Sequence, residues 1–429
     1  MAPVRFTPWE KSWLQDPWPQ YRELRSREPV FWSEELGHWI LTRYKDVVLV
    51  SKDPRFSATN RPPQRRWMRP TMMVTADPPE HSRLRRPVAQ HFGATAVESL
   101  VPRMQEVVDA QLDAAQERGS LDVAWDYARI LPRRIISELM GVPYVPPERP
   151  RGPLNAFGME EHGEEARRPA AVASTLGQGR LGGGAGLATS SVAAAGAGTG
   201  MSGPARQRRQ PPATEEEVES PQDRWFKEAF ERHRAEVMDD AVQALLRAES
   251  NARMTGEEVL DTATILYGAG QETTGSLITN AVFQLLLHPE QLRKLQDNPD
   301  LVRSAVDELL RFDAPVHSVR RKALVDVDLE GKTVKAGDKV LLMLMAANHD
   351  PDVFAEPDDM DLERKDNYHI AFGSGPHTCL GGILARAEAQ VAIGTLVRRF
   401  PKMRLAGDNV QYQGSLILRT VRDLPVAVA

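Results

Sequence analysis

Apolar positions recur at three- and four-residue spacing along most of the chain, the period of helices with one buried face. Ala96–Arg118 and Pro221–Ala248 carry it, and a longer stretch runs from about Thr255 to Leu287. Thr255-Gly-Glu-Glu258 predicts a capping box at the start of that stretch. His288-Pro289 predicts its end, because proline excludes the helical conformation for the residue before it. Asp300–Phe312 and Gly382–Phe400 predict two further helices.

Alternating or continuous apolar runs are fewer and shorter. GHWILTRY near the start and the span from Ala323 to Met345 predict strands, with turns at Glu330-Gly331 and Gly337-Asp338. SLILRTV and LPVAVA predict short strands near the end. The pattern predicts a mainly α protein with small β-sheets, in one domain spanning 1–429.

One segment breaks the pattern. Gly158 to Arg224 contains no aromatic residue, and Ala166 to Thr214 contains six arginines, no acid and a long glycine–alanine tract. Such a stretch buries too little apolar area to offset its chain entropy. The expectation for 158–214 is a disordered or atypical segment, either a tolerated insertion or an out-of-frame reading of GC-rich coding sequence.

Composition narrows the class. Hydrophobic residues are 41% and charged residues 26% of 429, with a net charge of −5. This is a globular profile, and the acidic balance argues against nucleic-acid or membrane-surface binding. The first residues lack the apolar core of a signal peptide, and the longest apolar run, Val340–Ala347, is far below the ~18 residues of a membrane span. A cytoplasmic protein is expected.

The chain has a single cysteine, Cys379, in the stretch FGSGPHTCLGG. It can make neither an internal disulfide nor a thiolate-rich zinc site. By default such a residue is a small buried hydrophobe. Here glycines 373, 375, 381 and 382 and Pro376 surround it with a tight turn, and a helix begins just after it. Backbone amides and a helix N-terminus stabilise a thiolate. An iron held by four porphyrin nitrogens needs only one protein sulfur.

Phe372-x-x-Gly375-x-His377-x-Cys379-x-Gly381 resembles the haem-binding loop of the cytochrome P-450 family at every defining position. Three more stretches follow the family in order. Gly268-Ala-Gly-Gln-Glu-Thr-Thr274 resembles its oxygen-activating groove, where Ala269 and Gly270 let a flat cofactor lie against the helix and Glu272 and Thr273 form the acid–alcohol pair. The resemblance makes Thr273 the hydrogen-bond partner of dioxygen, and Glu272 with water the proton relay. Glu308-Leu-Leu-Arg311, with Arg364 from Phe354-x-x-Pro357-x-x-Met360-Asp361-x-x-Arg364, resembles the family's structural ion triad. His81 and Arg85 resemble the HxxxR helix start that meets a haem propionate. Arg321 and His377 fall at the other propionate positions, with Arg320 as a lesser alternative to Arg321.

The likeness runs from about Pro29 to the C-terminus except for roughly Val145–Thr214, where the family places the two helices that roof the substrate pocket. It implies the P-450 fold of the soluble bacterial type, with haem b between the long helix and the Cys379 loop. It implies monooxygenation of an apolar small molecule, hydroxylation or epoxidation, often in secondary metabolism. Electrons are expected from a ferredoxin or flavodoxin with an NAD(P)H-dependent reductase, and the chain is expected to be a monomer. By family position the pocket involves the Arg61–Val74 loop, Ile265, Leu266, Ala269, Val316–Val319 and Ser415–Leu418. A peroxide-driven peroxygenase and a haem binder with impaired catalysis are the alternatives; peroxygenases of the family typically lose the acid–alcohol pair, which is intact here.

Overall fold

The structure, a computed structural model, describes residues 4–59, 72–149 and 221–428. The 158–214 segment and most of the Arg61–Val74 loop lie outside these residues. The described helices are α1 (Lys11–Gln15), α2 (Trp18–Arg27), α3 (Tyr44–Lys52), α4 (Glu80–Arg85), α5 (Ala94–Arg118), α6 (Ile130–Met140), α7 (Pro221–Ala235), α8 (Ala241–Ser250), α9 (Gly256–Leu287), α10 (Pro289–Asp297), α11 (Val302–Asp313), α12 (Leu344–Ala347) and α13 (Gly382–Arg399).

The strands are short. They are β1 (Val30–Ser33), β2 (His38–Leu41), β3 (Phe56–Ser57), β4 (Ser120–Asp122), β5 (Ser318–Ala323), β6 (Val327–Leu329), β7 (Lys332–Val334), β8 (Lys339–Met343), β9 (Arg404–Leu405), β10 (Tyr412–Gly414), β11 (Arg419–Val421) and β12 (Pro425–Ala427). The largest sheet has the order β1-β2-β8-β5-β3, with only the β2–β8 pair parallel. Its register sets Ile40 against Leu341, both buried.

α9 is the axis of the molecule. Its 32 residues span about 48 Å at 1.5 Å per residue. The capping box is present: the Thr255 hydroxyl accepts from the Glu258 amide at 3.2 Å, and the Glu258 carboxylate accepts from the Thr255 amide at 2.8 Å. Arg83 of α4 reaches the same carboxylate at 2.6 Å, joining α4 to the start of α9. The helix stops at His288, and Pro289 opens α10. α6, α7, α8, α11 and α13 pack around α9, and most of its second half is buried on every side.

The continuous helix expected over Pro221–Ala248 is two helices. Asp240 stops it: its carboxylate caps α8 through the Gln243 amide at 2.8 Å and also meets His233 of α7 at 3.0 Å. Gly141, with φ +67°, lies against both side chains, and a Cβ there would sit 2.1 Å from the Asp240 carboxylate. Capping and this tertiary contact outweigh the helical period.

Candidate active site

The loop before α13 is shaped by two glycines. Gly373 and Gly375 both have φ +75°, and a Cβ on Gly375 would lie 2.5 Å from the Ser51 carbonyl of α3. The Cys379 amide donates to the Phe372 carbonyl at 2.9 Å, and the Thr378 amide to the Gly375 carbonyl at 3.1 Å. These bonds leave Cys379 as an exposed free thiol, with Pro376 and Thr378 of the same loop exposed beside it. Burial of the surroundings pushes the thiol up from its ordinary value; the Gly381 amide, Arg85 and Arg386 pull in the other direction. The thiolate expected from helix and amides is therefore not favoured by the protein alone. A cation at the sulfur would supply what is lacking.

α9 changes character where the small residues fall. Gly268 and Ala269 are exposed in the middle of this mostly buried helix, and a Cβ on Gly268 would meet nothing within 4 Å. Gly270 has the other reason to be glycine: a Cβ would lie 3.1 Å from Ile136 of α6. Thr273 turns its hydroxyl back and donates to the Ala269 carbonyl at 2.7 Å. Glu272, one residue earlier, points elsewhere. Its carboxylate lies 3.3 Å from Arg133 and 3.5 Å from Arg129, both from the α6 region. The acid–alcohol pair is adjacent in the chain but its two side chains have separate partners.

His81, Arg85, Arg321 and His377 converge. The His81 and His377 rings are 4.2 Å apart between centroids. Among the described residues neither His81 Nδ1 nor His377 Nε2 has a hydrogen-bond partner, though both atoms are buried. Burial, then His81 and the nearby arginines, lowers His377 to about 4. Burial followed by Arg85 lowers His81, and burial lowers Arg321 against the pull of Asp77. Four potential cations are thus gathered where water is scarce. Two carboxylates, as on a haem, would satisfy the orphaned nitrogens and relieve the crowding. The residues fit the group.

Glu308, Arg311 and Arg364 are brought together. Glu308 and Arg311 are fully buried and form a two-point pair, at 2.7 and 2.8 Å. Arg364 reaches Glu308 at 3.1 Å, and the Asp361 amide and Asn367 side chain also bond that carboxylate. Arg311 further donates to the carbonyls of Asn348, Pro357 and Asp359, so one guanidinium ties down the long loop that leads to Cys379.

Of the pocket positions, 316–319 and 415–418 are brought together: Val316 bridges Leu418, and the His317 amide donates to the Ile417 carbonyl at 2.8 Å. The His317 side chain, however, is buried in the core beside Tyr21, 3.0 Å from its hydroxyl.

Three participants escaped sequence reasoning. Arg129 and Arg133 carried no local signal. Glu388 is a lone acid in α13; it is buried, and burial pushes its carboxyl well above the ordinary range against the pull of Thr274.

The family model for cytochrome P450 matches residues 214–408. The biotin biosynthesis cytochrome P450 of Bacillus subtilis (strain 168) is 32% identical over 97% of this chain and 97% of its own length. The chain belongs to the cytochrome P450 family.

The mycinamicin IV hydroxylase/epoxidase of Micromonospora griseorubida is 35% identical to this P450 over 95% of the chain and 94% of its own. Among solved structures, P450BioI in complex with an acyl carrier protein ligated to hexadec-9Z-enoic acid superposes with a TM-score of 0.76 at 29% identity, covering 97% of this chain and 100% of the other. This P450 has the P450 fold, takes haem b as its cofactor and is an oxygen-incorporating oxidoreductase of the monooxygenase class. No helix among the described residues is long and apolar enough to cross a membrane.

Proposed function

We propose that Cys379 holds the haem iron and that the enzyme hydroxylates or epoxidises an apolar small molecule with electrons from a ferredoxin or flavodoxin and its NAD(P)H-dependent reductase. An NAD(P)H-driven chain places it in the cytoplasm. The observation that carries the reading is the exposed Cys379 in a loop flanked by the orphaned nitrogens of His81 and His377. His81, Arg85, Arg321 and His377 would hold the propionates. Phe372 and Gly381 shape the loop, and the exposed Ala269 leaves room for the ring face, whereas Gly270, expected beside it, serves the packing of α9 on Ile136 instead. Bound there, the haem activates dioxygen for insertion of one oxygen atom into the substrate.

The chain's own part is to hold protons and exclude water. Thr273 donates its hydroxyl proton to a carbonyl one turn back, which leaves the oxygen lone pairs free and lets the proton swing toward the reaction space. Glu272, anchored by Arg133 and Arg129, holds the next position for a proton, with water between the two. The buried face of Leu266 and the paired 316–319 and 415–418 segments suit an apolar ligand. The intact pair of Glu272 and Thr273 favours electron-driven over peroxide-driven turnover.

The test is spectroscopic and then kinetic. Dithionite-reduced protein with carbon monoxide should show the strongly red-shifted Soret band of thiolate ligation, and Cys379→His should lose it. A band at the position of histidine-ligated haem in the folded parent would overturn the assignment. Substrates found by spin-state shift should then consume NAD(P)H with a surrogate reductase and yield oxygenated product.

A further inference from the structure

Asp307 and Glu308 are neighbours on α11, so their side chains leave the helix about 100° apart. Glu308 enters the triad. Asp307 faces a second cluster: its carboxylate lies 2.7 Å from Arg386 Nε of α13 and 3.3 Å from His369 Nε2. The Ala371 amide donates to His369 Nδ1 at 3.3 Å, and Arg386 Nη2 lies 3.2 Å from the same Nε2 that faces Asp307, so the three side chains meet at one point. Burial raises the Asp307 carboxyl, but the bonds from His369 and Arg386 outweigh it and leave the group below its ordinary value, as a carboxylate.

The clamp fixes Arg386 in one place. Its guanidinium carbon sits 4.6 Å from the centroid of the Phe372 ring. Phe372 in turn touches the Cys379 loop twice. Its carbonyl accepts the Cys379 amide, and its ring packs where a Cβ on Gly382 would be 3.5 Å away. The charge of Arg386 also acts on the Cys379 sulfur, as that of Arg85 does. Arg85 is assigned to a propionate. Arg386 has no such task, yet it is held by two side chains and one ring.

We propose that Arg386, clamped by Asp307 and His369 and seated on Phe372, is a positioning residue that sets the electron donation of the Cys379 thiolate to the iron. The inference rests on Cys379 being the iron ligand. A fixed positive charge beside the thiolate stabilises the added electron of the ferrous state, and Asp307 opposes it from farther away. Changing the two residues should therefore move the equilibrium in opposite directions.

The experiment is redox titration of the haem-loaded full chain. Arg386→Met should shift the ferric-to-ferrous ratio at fixed potential about threefold toward ferric, which is about 28 mV at 59 mV per tenfold for one electron. Asp307→Asn should shift it toward ferrous, and Arg386→Lys should return most of the Arg386→Met change. Loosening of the fold would move both single variants the same way, so shifts of one sign overturn the proposal. Parental potentials, no return with lysine, or loss of haem by both Arg386→Met and Asp307→Asn overturn it as well. If Arg386→Met alone takes no haem, the sign for Asp307→Asn decides. The carbon monoxide spectrum of the parent tests the ligand assignment separately: a red-shifted parent with unmoved variants sinks only this inference.

Discussion

Thr274 of α9 faces the buried carboxyl of Glu388 of α13, where the two long helices pack together. Burial raises that carboxyl well above the ordinary 4.5, against the pull of Thr274. The folded protein thus keeps a proton that the unfolded chain releases above about pH 4.5. Stability from this group is complete below that pH and is lost as pH rises toward the folded pKa. Glu388→Gln removes the loss. The variant should melt close to the parent at pH 5 and progressively above it toward pH 8, with a ceiling of about 1.4 kcal/mol per pH unit. A difference that does not change with pH would show that the carboxyl is already ionised.

Thr273→Ala deletes a hydroxyl whose one bond is to a carbonyl already in the helix ladder. Folding and haem content should change little, by about 1 kcal/mol or less. Product formation should fall roughly a hundredfold if the hydroxyl acts as a proton donor. NAD(P)H oxidation should continue, with the electrons recovered as hydrogen peroxide. Product yield per NAD(P)H equal to the parent's would remove Thr273 from the mechanism.

Glu308 and Arg311 are both fully buried, so removing either leaves an uncompensated charge in the core. Glu308→Ala and Arg311→Ala should each cost roughly 3–5 kcal/mol. Haem-poor or insoluble protein is the expected yield, measured as the ratio of Soret to protein absorbance. Full haem occupancy with parental melting in either variant would contradict the triad's role.

Gly373 and Gly375 share a φ of +75° but not a neighbourhood. Gly373→Ala adds only the strain of a left-handed alanine, about 1–2 kcal/mol, since its nearest contact is 3.8 Å away. Gly375→Ala adds the same strain and drives a Cβ into the Ser51 carbonyl. The second variant should melt lower than the first and lose more haem. Equal melting temperatures would mean that α3 yields freely beneath the loop.

What could be read from the chain alone was set by contacts within a few residues. The capping box of Thr255 and Glu258, the stop at His288-Pro289 and the Glu308–Arg311 pair all close over three or four positions, so the local sequence decides them. The turn around Cys379 was legible for the same reason, because glycine tolerates a φ that other residues resist. Arg364 was placed only by family likeness, since 53 residues separate it from Arg311.

Other features depend on which faces meet across the fold. The period of 221–248 continued through Asp240, and only His233 and Gly141 packed against it show why the helix breaks. Glu272 draws its arginines from 139 and 143 positions away, and Asp313 meets Arg419 at 2.7 Å across 106. Glu388 looked like any acid in a helix until α9 covered it. An ion pair or a displaced pKa is a property of the solvent removed and the charge brought near. Both are decided when distant helices close over a residue, and the pattern along the chain carries no record of that distance.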